Sequence, residues 1–435
     1  MTKTENKFND LGPKEWLPFQ KSFTIFENME KLIEKNIDFF TKASLNPKQT
    51  ISSIGTNQFK SLFKNKAESL KLKYELNSKT FDFLAIDLTE NSIPLSSALE
   101  WIIKNGNKLN NRKFLWILIP TDLWYKNEMP YVWYLSEKLS DFLTRKDEKI
   151  ICLPNGRTWT SLYFRKDEKS KLNHPTYLID NQHLDDDQSI SNSDWFFLKP
   201  KPRSSDEVLH PAKYPEDLVK MYVEKFTKLG DTIFDPMSGT GTTQVTSLEL
   251  GRKTFGIELN QLFHQIAIKR CEKLNSKTKW KIFQGDARDF HSFQIPNLDY
   301  IITSPPYWDM LNMKGAEIQA SRIAKGLNTN YSDDINDLGN INNYSDFLNI
   351  LIDIYIKTCQ KLKNGGHITI VVKNVKKKGV YYPLAFDITK LIKKFLKFKH
   401  VGFWCQNDLQ IAPYGYKHTW VSNTFHHYCI TFQKA

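Results

Sequence analysis

Cysteine is scarce in this sequence, with only five among 435 residues. They are Cys152, Cys271, Cys359, Cys405 and Cys429, and no two of them form a Cys-x-x-Cys pair. An odd number at such wide spacing argues against a disulfide framework and against a zinc site. The thiols are therefore expected to be reduced and buried, as in a cytoplasmic protein.

Long apolar runs are missing as well. No stretch approaches the roughly 18 consecutive apolar residues of a membrane span, and the segment from Met1 to Gly12 is polar. Neither a signal peptide nor a membrane anchor is expected. The His426-His427 pair has no third ligand at a fixed spacing, so no metal is predicted either.

Positive charge and aromatic side chains are what the sequence has in quantity. The formal net charge is +13, and there are 18 tyrosines, 29 phenylalanines and 11 tryptophans. A positive field suits a polyanion and aromatic faces suit stacking on bases, so both features favour a nucleic-acid partner. They do not decide it, because biased genomic base composition also yields a chain rich in lysine and asparagine.

The N-terminal part of the chain reads as a helical lead-in followed by an α/β domain. Residues 1–44 form the lead-in, with an amphipathic helix predicted from Lys21 to Ser44 by apolar residues at steps of three and four. Residues 45–170 alternate strands and helices, which implies a sheet with helices packed on it. This part has no glycine-rich turn between a strand and a helix. Residues 171–207 are polar, acidic and rich in proline, as in Lys199-Pro200-Lys201-Pro202, and are predicted to be a linker.

The C-terminal domain, predicted at 208–435, begins with the pattern of a nucleotide-binding half-fold. A strand over Thr232-Ile233-Phe234 runs into a glycine loop, a helix follows, and a second strand ends at an acid. The loop lets the backbone approach a ligand, the helix N-terminus offers N–H groups, and the acid accepts from ribose hydroxyls. The candidate cofactor-binding residues of this pattern are Asp235, Pro236, Ser238, Gly239, Gly241, Thr242, Thr243 and Glu258.

Two further strands end in polar clusters. The third ends at Gly285-Asp286-Ala287, which places Asp286 and Ala287 beside the same crevice. The fourth, Asp299 to Thr303, stops at Ser304-Pro305-Pro306-Tyr307, a turn that the two prolines stiffen. Four such clusters in chain order are hard to explain by packing, because ligands bind at the carboxyl ends of strands in an open α/β sheet. The fourth cluster is the predicted catalytic turn.

These motifs resemble those of S-adenosylmethionine-dependent DNA methyltransferases that modify an exocyclic amine. The glycine loop resembles the first motif of that family, Glu258 its second acidic motif, Gly285-Asp286 its third, and Ser304-Pro305-Pro306-Tyr307 its catalytic motif. Upstream, His210, Pro211 and Lys213 fall in a segment similar to the one that lines the methionine part of the cofactor. The resemblance covers roughly residues 208–435, and it implies a Rossmann-like seven-stranded sheet. The strands of 45–170 resemble the back half of an adenine-type enzyme without its Pro-Pro-Tyr, which implies a non-catalytic methyltransferase-like domain.

The resemblance also implies a reaction. The Ser304 hydroxyl and the Pro305 carbonyl would hold the amine of a base flipped out of double-stranded DNA, with Tyr307 stacked on it. Serine in place of aspartate or asparagine favours cytosine N4, with adenine N6 as the alternative. An RNA base methyltransferase, a non-enzymatic nucleic-acid-binding protein and a nicotinamide-dependent oxidoreductase remain open as further readings.

No single element of the chain is assigned to the selection of a DNA sequence. No large recognition domain fits between the motifs or after them. The candidates are the irregular segment 311–343, the segment Pro413–Ser422, the N-terminal domain, and a separate restriction or specificity subunit in a restriction-modification system.

Overall fold

A computed structural model of the chain describes residues 6–90, 94–125, 129–167, 193–199, 214–308, 337–407, 411, 415–420 and 423–435. The chain divides into two compact units. The N-terminal unit comprises Met1–Trp195 and Asn407–His426, and the C-terminal unit comprises Phe196–Gln406 and His427–Ala435. These units depart from the predicted boundaries, because the lead-in and the segment 407–426 both belong to the N-terminal unit.

The N-terminal unit is an α/β sheet with helices between its strands. Its helices are α1 (Pro13–Phe19), α2 (Met29–Phe40), α3 (Asn57–Ser69), α4 (Leu95–Gly106) and α5 (Tyr131–Leu139). Its strands are β1 (Phe23–Ile25), β2 (Thr50–Ile54), β3 (Lys73–Tyr74), β4 (Phe81–Asp87), β5 (Leu109–Pro120), β6 (Trp124–Tyr125), β7 (Met129–Pro130), β8 (Thr144–Cys152) and β9 (Thr158–Arg165). Seven of the strands form one sheet in the order β1-β8-β9-β5-β4-β2-β3.

The lead-in is not purely helical, and the helix predicted from Lys21 is wrong at its start. Residues 23–25 pair with residues 150–152 as the parallel edge strand β1. Helix α2 begins only after Asn28, whose side chain accepts a hydrogen bond from the Lys31 N–H at 2.8 Å. Such a cap ends the extended segment and satisfies a free donor of the first turn.

The segment 407–426 completes the aromatic core of the N-terminal unit. Trp420 is 4% exposed and belongs to its buried cluster. The indole contacts the rings of Phe40 and Tyr163 at centroid distances of 5.3 and 4.8 Å. This part of the predicted recognition segment Pro413–Ser422 therefore contributes to the core of the N-terminal unit.

The C-terminal unit contains a larger sheet. Its helices are α6 (Glu216–Phe226), α7 (Thr242–Glu249), α8 (Gln261–Glu272), α9 (Tyr344–Gln360) and α10 (Leu384–Ile392), with short 3-10 turns at Ala287–Ser292 and Leu338–Asn340. Its strands are β10 (Ser193–Phe197), β11 (Thr232–Asp235), β12 (Lys253–Glu258), β13 (Trp280–Gln284), β14 (Leu298–Thr303), β15 (Leu362–Val372), β16 (Val375–Lys377), β17 (Val380–Tyr382), β18 (Lys397–Cys405) and β19 (His426–Gln433).

The large sheet has eight strands, in the order β10-β18-β19-β15-β14-β11-β12-β13. The prediction of seven strands missed the edge strand β10, which lies in the polar stretch interpreted as a linker. Strands β11 to β15 are mutually parallel neighbours, and β19 runs antiparallel to β15. Parallel strands have their carboxyl ends at one edge, so the four predicted clusters follow strands that end at the same edge. Among the described residues, no helix is both long and apolar enough to cross a membrane.

Candidate active site

Asp235 is the fully buried residue at the end of β11. One carboxylate oxygen accepts from the Thr243 hydroxyl at 2.7 Å and from the Tyr214 hydroxyl at 3.1 Å. The other accepts from the Met237 N–H at 3.0 Å. Burial raises the pKa of this carboxyl above its ordinary value. Asp235 thus holds the start of the glycine loop and of α7, and its direct contact with a cofactor stays a prediction.

Tyr214 is a site residue that the motif assignment did not select. Its hydroxyl bonds both Asp235 and Thr243. It immediately follows Lys213, in the segment that the resemblance linked to the cofactor. The available signal was therefore its position, but its partners lie 21 and 29 residues further on and depend on how α6 packs.

The glycine loop is attached to the end of β12. The Gly239 N–H donates to Oε2 of Glu258 at 2.7 Å, and the Asn260 N–H donates to Oε1 at 2.8 Å. Gly239 and Gly241 have φ values of 54° and 79°, a region that favours glycine. A Cβ on Gly241 would also lie 2.8 Å from that of Ala267 in α8. The loop therefore needs glycine for its conformation and for its close approach to a helix.

Ser238 joins the same network from inside the loop. Its N–H donates to the Ile257 carbonyl at 2.9 Å, and its hydroxyl donates to the Asp235 carbonyl at 3.2 Å. The Gln244 amide donates to the Ser238 oxygen at 3.1 Å. These bonds direct Ser238 towards strands β11 and β12, so Ser238 stabilises the conformation of the loop.

Glu258 is a buried acid whose pKa is raised. It is 8% exposed, and burial raises the pKa of its carboxyl to about 8. Each carboxylate oxygen has two lone-pair positions, and each accepts one backbone N–H. One acceptor position therefore remains on each oxygen, which suits two neighbouring hydroxyl groups.

The third cluster is tied to the second. The Gly285 N–H donates to the Glu258 carbonyl at 3.0 Å. Asp286 accepts from the Arg288 N–H at 2.9 Å and from its Nε at 2.8 Å, and it caps the turn that begins at the buried Ala287. An amine of a ligand would have to share the Asp286 carboxylate with Arg288.

The predicted catalytic turn follows β14, the neighbour of β11. The Ser304 hydroxyl and the Tyr307 hydroxyl lie 2.9 Å apart. Pro305 is buried, whereas Ser304 and Pro306 are half-buried. Tyr307 is 5% exposed, and burial raises the pKa of its hydroxyl, which stays protonated near neutral pH. A base that stacks on this ring has to displace what covers it.

An aromatic cluster adjoins the catalytic turn. Trp308 has a φ of 47°, unusual for a bulky residue, and is 3% exposed. Its ring lies 5.1 Å from that of Tyr344 and 4.8 Å from that of Tyr382, and the Lys377 ammonium lies 4.4 Å from its centroid. These partners are 36 to 74 residues away in the sequence, so the motif pattern did not indicate them.

Several predicted elements fall outside the described residues. They are the cofactor candidates His210, Pro211 and Lys213, residues 311–336 of the irregular segment, and parts of Pro413–Ser422. Within the described part of the chain, no group of three histidine, cysteine or acidic side chains could hold a metal ion.

The strand order and the edge clusters together define the class of protein. The order β13-β12-β11-β14-β15-β19-β18, with β19 antiparallel, is the Rossmann-like methyltransferase sheet expected from the resemblance. Its glycine loop and acid lie at the carboxyl edge, where this class binds a nucleotide-like cofactor.

Sequence comparisons find similarity to one family over part of the chain. Residues 86–269 match the model of a family described as DNA methylase. The chain is 33% identical over 118 residues to the Type II methyltransferase M2.DpnII of Streptococcus pneumoniae, which covers 27% of this chain and 43% of that protein. It is 28% identical over 85 residues to the DNA adenine methyltransferase YhdJ of Escherichia coli, covering 20% and 29%. Over the matched segments, these similarities agree with the resemblance to DNA amino-methyltransferases.

The chain spans less than half the length of the curated relatives it matches. Among solved structures, TrmN from Thermus thermophilus aligns over 93% of this chain and 78% of its own, with 8% identity and a TM-score of 0.35.

Proposed function

We propose that this protein is a DNA methyltransferase that transfers a methyl group from S-adenosylmethionine to the exocyclic amine of a flipped-out base. The observation that carries the proposal is the pairing of two strands. Strand β11 leads into the loop held by Glu258, and its neighbour β14 leads into Ser304-Pro305-Pro306-Tyr307. Neighbouring parallel strands bring a cofactor loop and an amine-binding turn to one edge of the sheet.

The residues at this edge fit the cofactor. The remaining acceptor positions of Glu258 suit the two ribose hydroxyls. Helix α7 begins at Thr242, and the N–H groups of Thr242 and Thr243 in its first turn have no partner within the helix, so they suit the methionine carboxylate. When bound, S-adenosylmethionine supplies an electrophilic methyl group.

The catalytic turn would activate the amine. Its nitrogen is a poor nucleophile because the lone pair is conjugated into the ring. The Ser304 oxygen can accept from the amine while it also bonds Tyr307, and the Pro305 carbonyl offers a second acceptor. Two acceptors pull the N–H groups out of the ring plane and free the lone pair. Flipping costs a few kcal/mol, which stacking on Tyr307 would partly offset.

We further propose cytosine N4 as the target. Ser304 occupies the first position of the catalytic turn, where the family has aspartate, asparagine or serine, and serine at this position resembles the enzymes that modify cytosine N4. Adenine N6 is the second candidate, and similarity to an adenine methyltransferase favours it.

We assign the selection of the DNA sequence to segment 311–343, to the N-terminal unit or to a separate subunit.

The modified base tests the proposed function directly. Random-sequence DNA and RNA are each incubated with the protein and S-adenosylmethionine, digested to nucleosides and analysed by mass spectrometry. We expect N4-methylcytosine in the DNA. N6-methyladenine alone would refute the choice of base and keep the activity, whereas methylation of RNA alone would refute the DNA substrate.

The hairpin β16–β17 is a candidate contact for the DNA backbone. It follows β15, which runs parallel to β14, so it leaves the sheet at the catalytic edge. Its tip is exposed, and Lys378 and Gly379 both have positive φ (50° and 79°). Two-residue hairpin turns of this kind favour asparagine or glycine at positions with positive φ. Lysine at position 378 therefore indicates that its ammonium group has a function, such as contact with a phosphate. We expect Lys378→Ala to weaken DNA binding about threefold and to reduce the salt dependence by about one ion.

Lys279→Ala is the matched control, because this exposed lysine precedes β13 at the opposite edge of the sheet. Its effect on DNA affinity should be negligible in fluorescence anisotropy titrations at several salt concentrations. Equal losses in the two variants would mean that the hairpin has no specific contact and that only net charge matters.

A further inference from the structure

The two units share one topology, strand for strand. In chain order and in sheet order, β1, β2, β3, β4, β5, β8 and β9 correspond to β10, β11, β12, β14, β15, β18 and β19. Between the fifth and sixth of these strands each unit has a two-stranded hairpin, β6–β7 or β16–β17, followed by a helix whose N-cap is proline, Pro130 or Pro383. Among the described elements of the C-terminal unit, α8, β13 and the two 3-10 turns have no counterpart in the N-terminal unit.

Corresponding positions of the two units also have side chains with the same hydrogen bonds. The first example is an aspartate at the second position of the corresponding strands β4 and β14. Asp82 in β4 accepts from the Thr50 N–H at 2.9 Å, and Asp299 in β14 accepts from the Thr232 N–H at 2.9 Å. The other oxygen of each carboxylate accepts from the second residue of the next strand. These donors are Asn110 at 3.1 Å and Lys363 at 2.6 Å.

A second repeated feature joins the residue after the last strand, β9 or β19, to the strand next to it in the sheet, β5 or β15, and to the end of the helix before that strand, α4 or α9. The N–H of Arg112 donates to Lys166 O at 2.7 Å, and the N–H of Gly365 donates to Lys434 O at 2.9 Å. Arg112 and Gly365 both have positive φ, at 63° and 79°. The ammonium groups of the two lysines then bond the carbonyls of Asn107 and Gln360, which stand two residues before β5 and β15.

A third repeated feature lies at the entry to the second strand. Lys73 donates its N–H to Gln49 O at 3.0 Å, and Lys253 donates to Asp231 O at 2.9 Å. Two residues earlier, Lys71 and Gly251 both have positive φ, at 56° and 72°. A common fold requires the strand order, but it does not require these bonds in the same register.

The two units differ where the cofactor and the amine would bind. Between β2 and α3 lie two residues, Gly55 and Thr56, whereas six residues form the loop between β11 and α7. Strand β3 is two residues long, against six in β12, so it does not reach an acid at the position of Glu258. The N-terminal unit therefore lacks the cofactor loop.

The register also identifies the counterpart of the catalytic turn. Since Asp82 corresponds to Asp299, the residues aligned with Ser304-Pro305-Pro306-Tyr307 are Asp87-Leu88-Thr89-Glu90. Asp87 is 1% exposed, and one of its oxygens accepts from both the N–H and the hydroxyl of Thr89, at 3.0 and 2.7 Å. The segment Asp87–Glu90 therefore contains neither the two prolines nor the tyrosine of the C-terminal turn.

We propose that the chain is a tandem duplication of one methyltransferase unit, in which the N-terminal copy keeps the framework but has lost the cofactor loop and the catalytic turn. Each chain then has one cofactor site and one catalytic edge. The matched family segment, 86–269, agrees with this, because it runs from the catalytic half of the first copy into the cofactor half of the second. The single site rests on the proposed function.

Calorimetric titration of the full chain with S-adenosylhomocysteine counts the sites. We expect one equivalent per chain, and Glu258→Ala should weaken that binding at least tenfold with the thermal unfolding of the protein checked in parallel. Two equivalents would overturn the inference and leave the proposed function standing. No binding by a folded chain would instead overturn the proposed function and, with it, the single site.

A matched pair of variants compares the two catalytic positions. Ser304→Ala should lower the methylation rate at least tenfold, whereas Asp87→Asn, which keeps the acceptor for Thr89, should leave it within twofold. An Asp87→Asn protein that binds S-adenosylhomocysteine normally but loses methylation as Ser304→Ala does would refute a silent N-terminal copy.

Discussion

Tyr307→Ala should lower the rate of DNA methylation about 100-fold while the affinity for S-adenosylhomocysteine changes less than about threefold. Stacking of a base on an aromatic side chain is worth about 1–3 kcal/mol, and loss of the ring would also let the base shift out of line with the methyl group. The effect should fall on the chemical step, because Tyr307 lies in the turn after β14 and the proposed cofactor residues follow β11 and β12. Single-turnover kinetics and calorimetry separate the two quantities.

Two conservative variants locate the cause. Tyr307→Phe keeps the ring and loses only the 2.9 Å contact with Ser304, so its rate should fall less than about tenfold. Tyr355→Phe removes a buried hydroxyl that interacts electrostatically with Tyr307 but finds no hydrogen-bond partner among the described residues, and its rate should stay at the wild-type level. A Tyr307→Ala protein with more than half of the normal rate would exclude the turn from catalysis.

Cofactor affinity should depend steeply on pH through Glu258. Burial raises the pKa of its carboxyl to about 8 in the free protein. Ribose hydroxyls that donate to the carboxylate stabilise its charged form and lower that pKa in the complex. Binding therefore releases a proton below pH 8, and the affinity should fall about tenfold for each pH unit below that value. Titrations with S-adenosylhomocysteine between pH 6 and pH 9 measure this slope.

Glu258→Gln provides the control, because the amide does not titrate. Its affinity should be low and nearly independent of pH. Stability of the free wild-type protein should change in the opposite sense to its affinity. The folded state keeps a proton that the unfolded chain loses near pH 4.3, so the free energy of unfolding should fall as pH rises from about 4.3 to about 8. A flat affinity profile in the wild type would refute a charged Glu258 in the complex.

The strand-end motifs could be predicted because each is local. An apolar strand, a turn and a polar residue follow one another within about ten residues, and parallel strands then bring their ends together without further information. Glu258, the glycine loop and the Ser304 turn were selected as candidates in this way. The Asp235 pairing with Tyr214 and Thr243 was not, because it depends on how α6 packs against the sheet.

Residues distant in the sequence account for most of what the motifs missed. Trp308 meets Tyr344 and Tyr382 only after α9 and the hairpin have packed beside the catalytic turn. The edge strand β10 has the sequence Ser-Asp-Trp-Phe-Phe, in which polar and apolar residues do not alternate, and it lies within a largely polar segment.

The sequence by itself determined the motifs on which the proposed chemistry rests: a glycine loop, an acid and a stiff Ser-Pro-Pro-Tyr turn are short, ordered motifs, since each needs particular residue types at neighbouring positions. Only the tertiary structure decided that the strands of the two units correspond one for one and that residues 407–426 belong to the N-terminal unit. Asp82 and Asp299 have the same bonds, but the residues around them differ. Many apolar side chains can fill a sheet core, whereas its hydrogen-bond register is visible only in the folded chain.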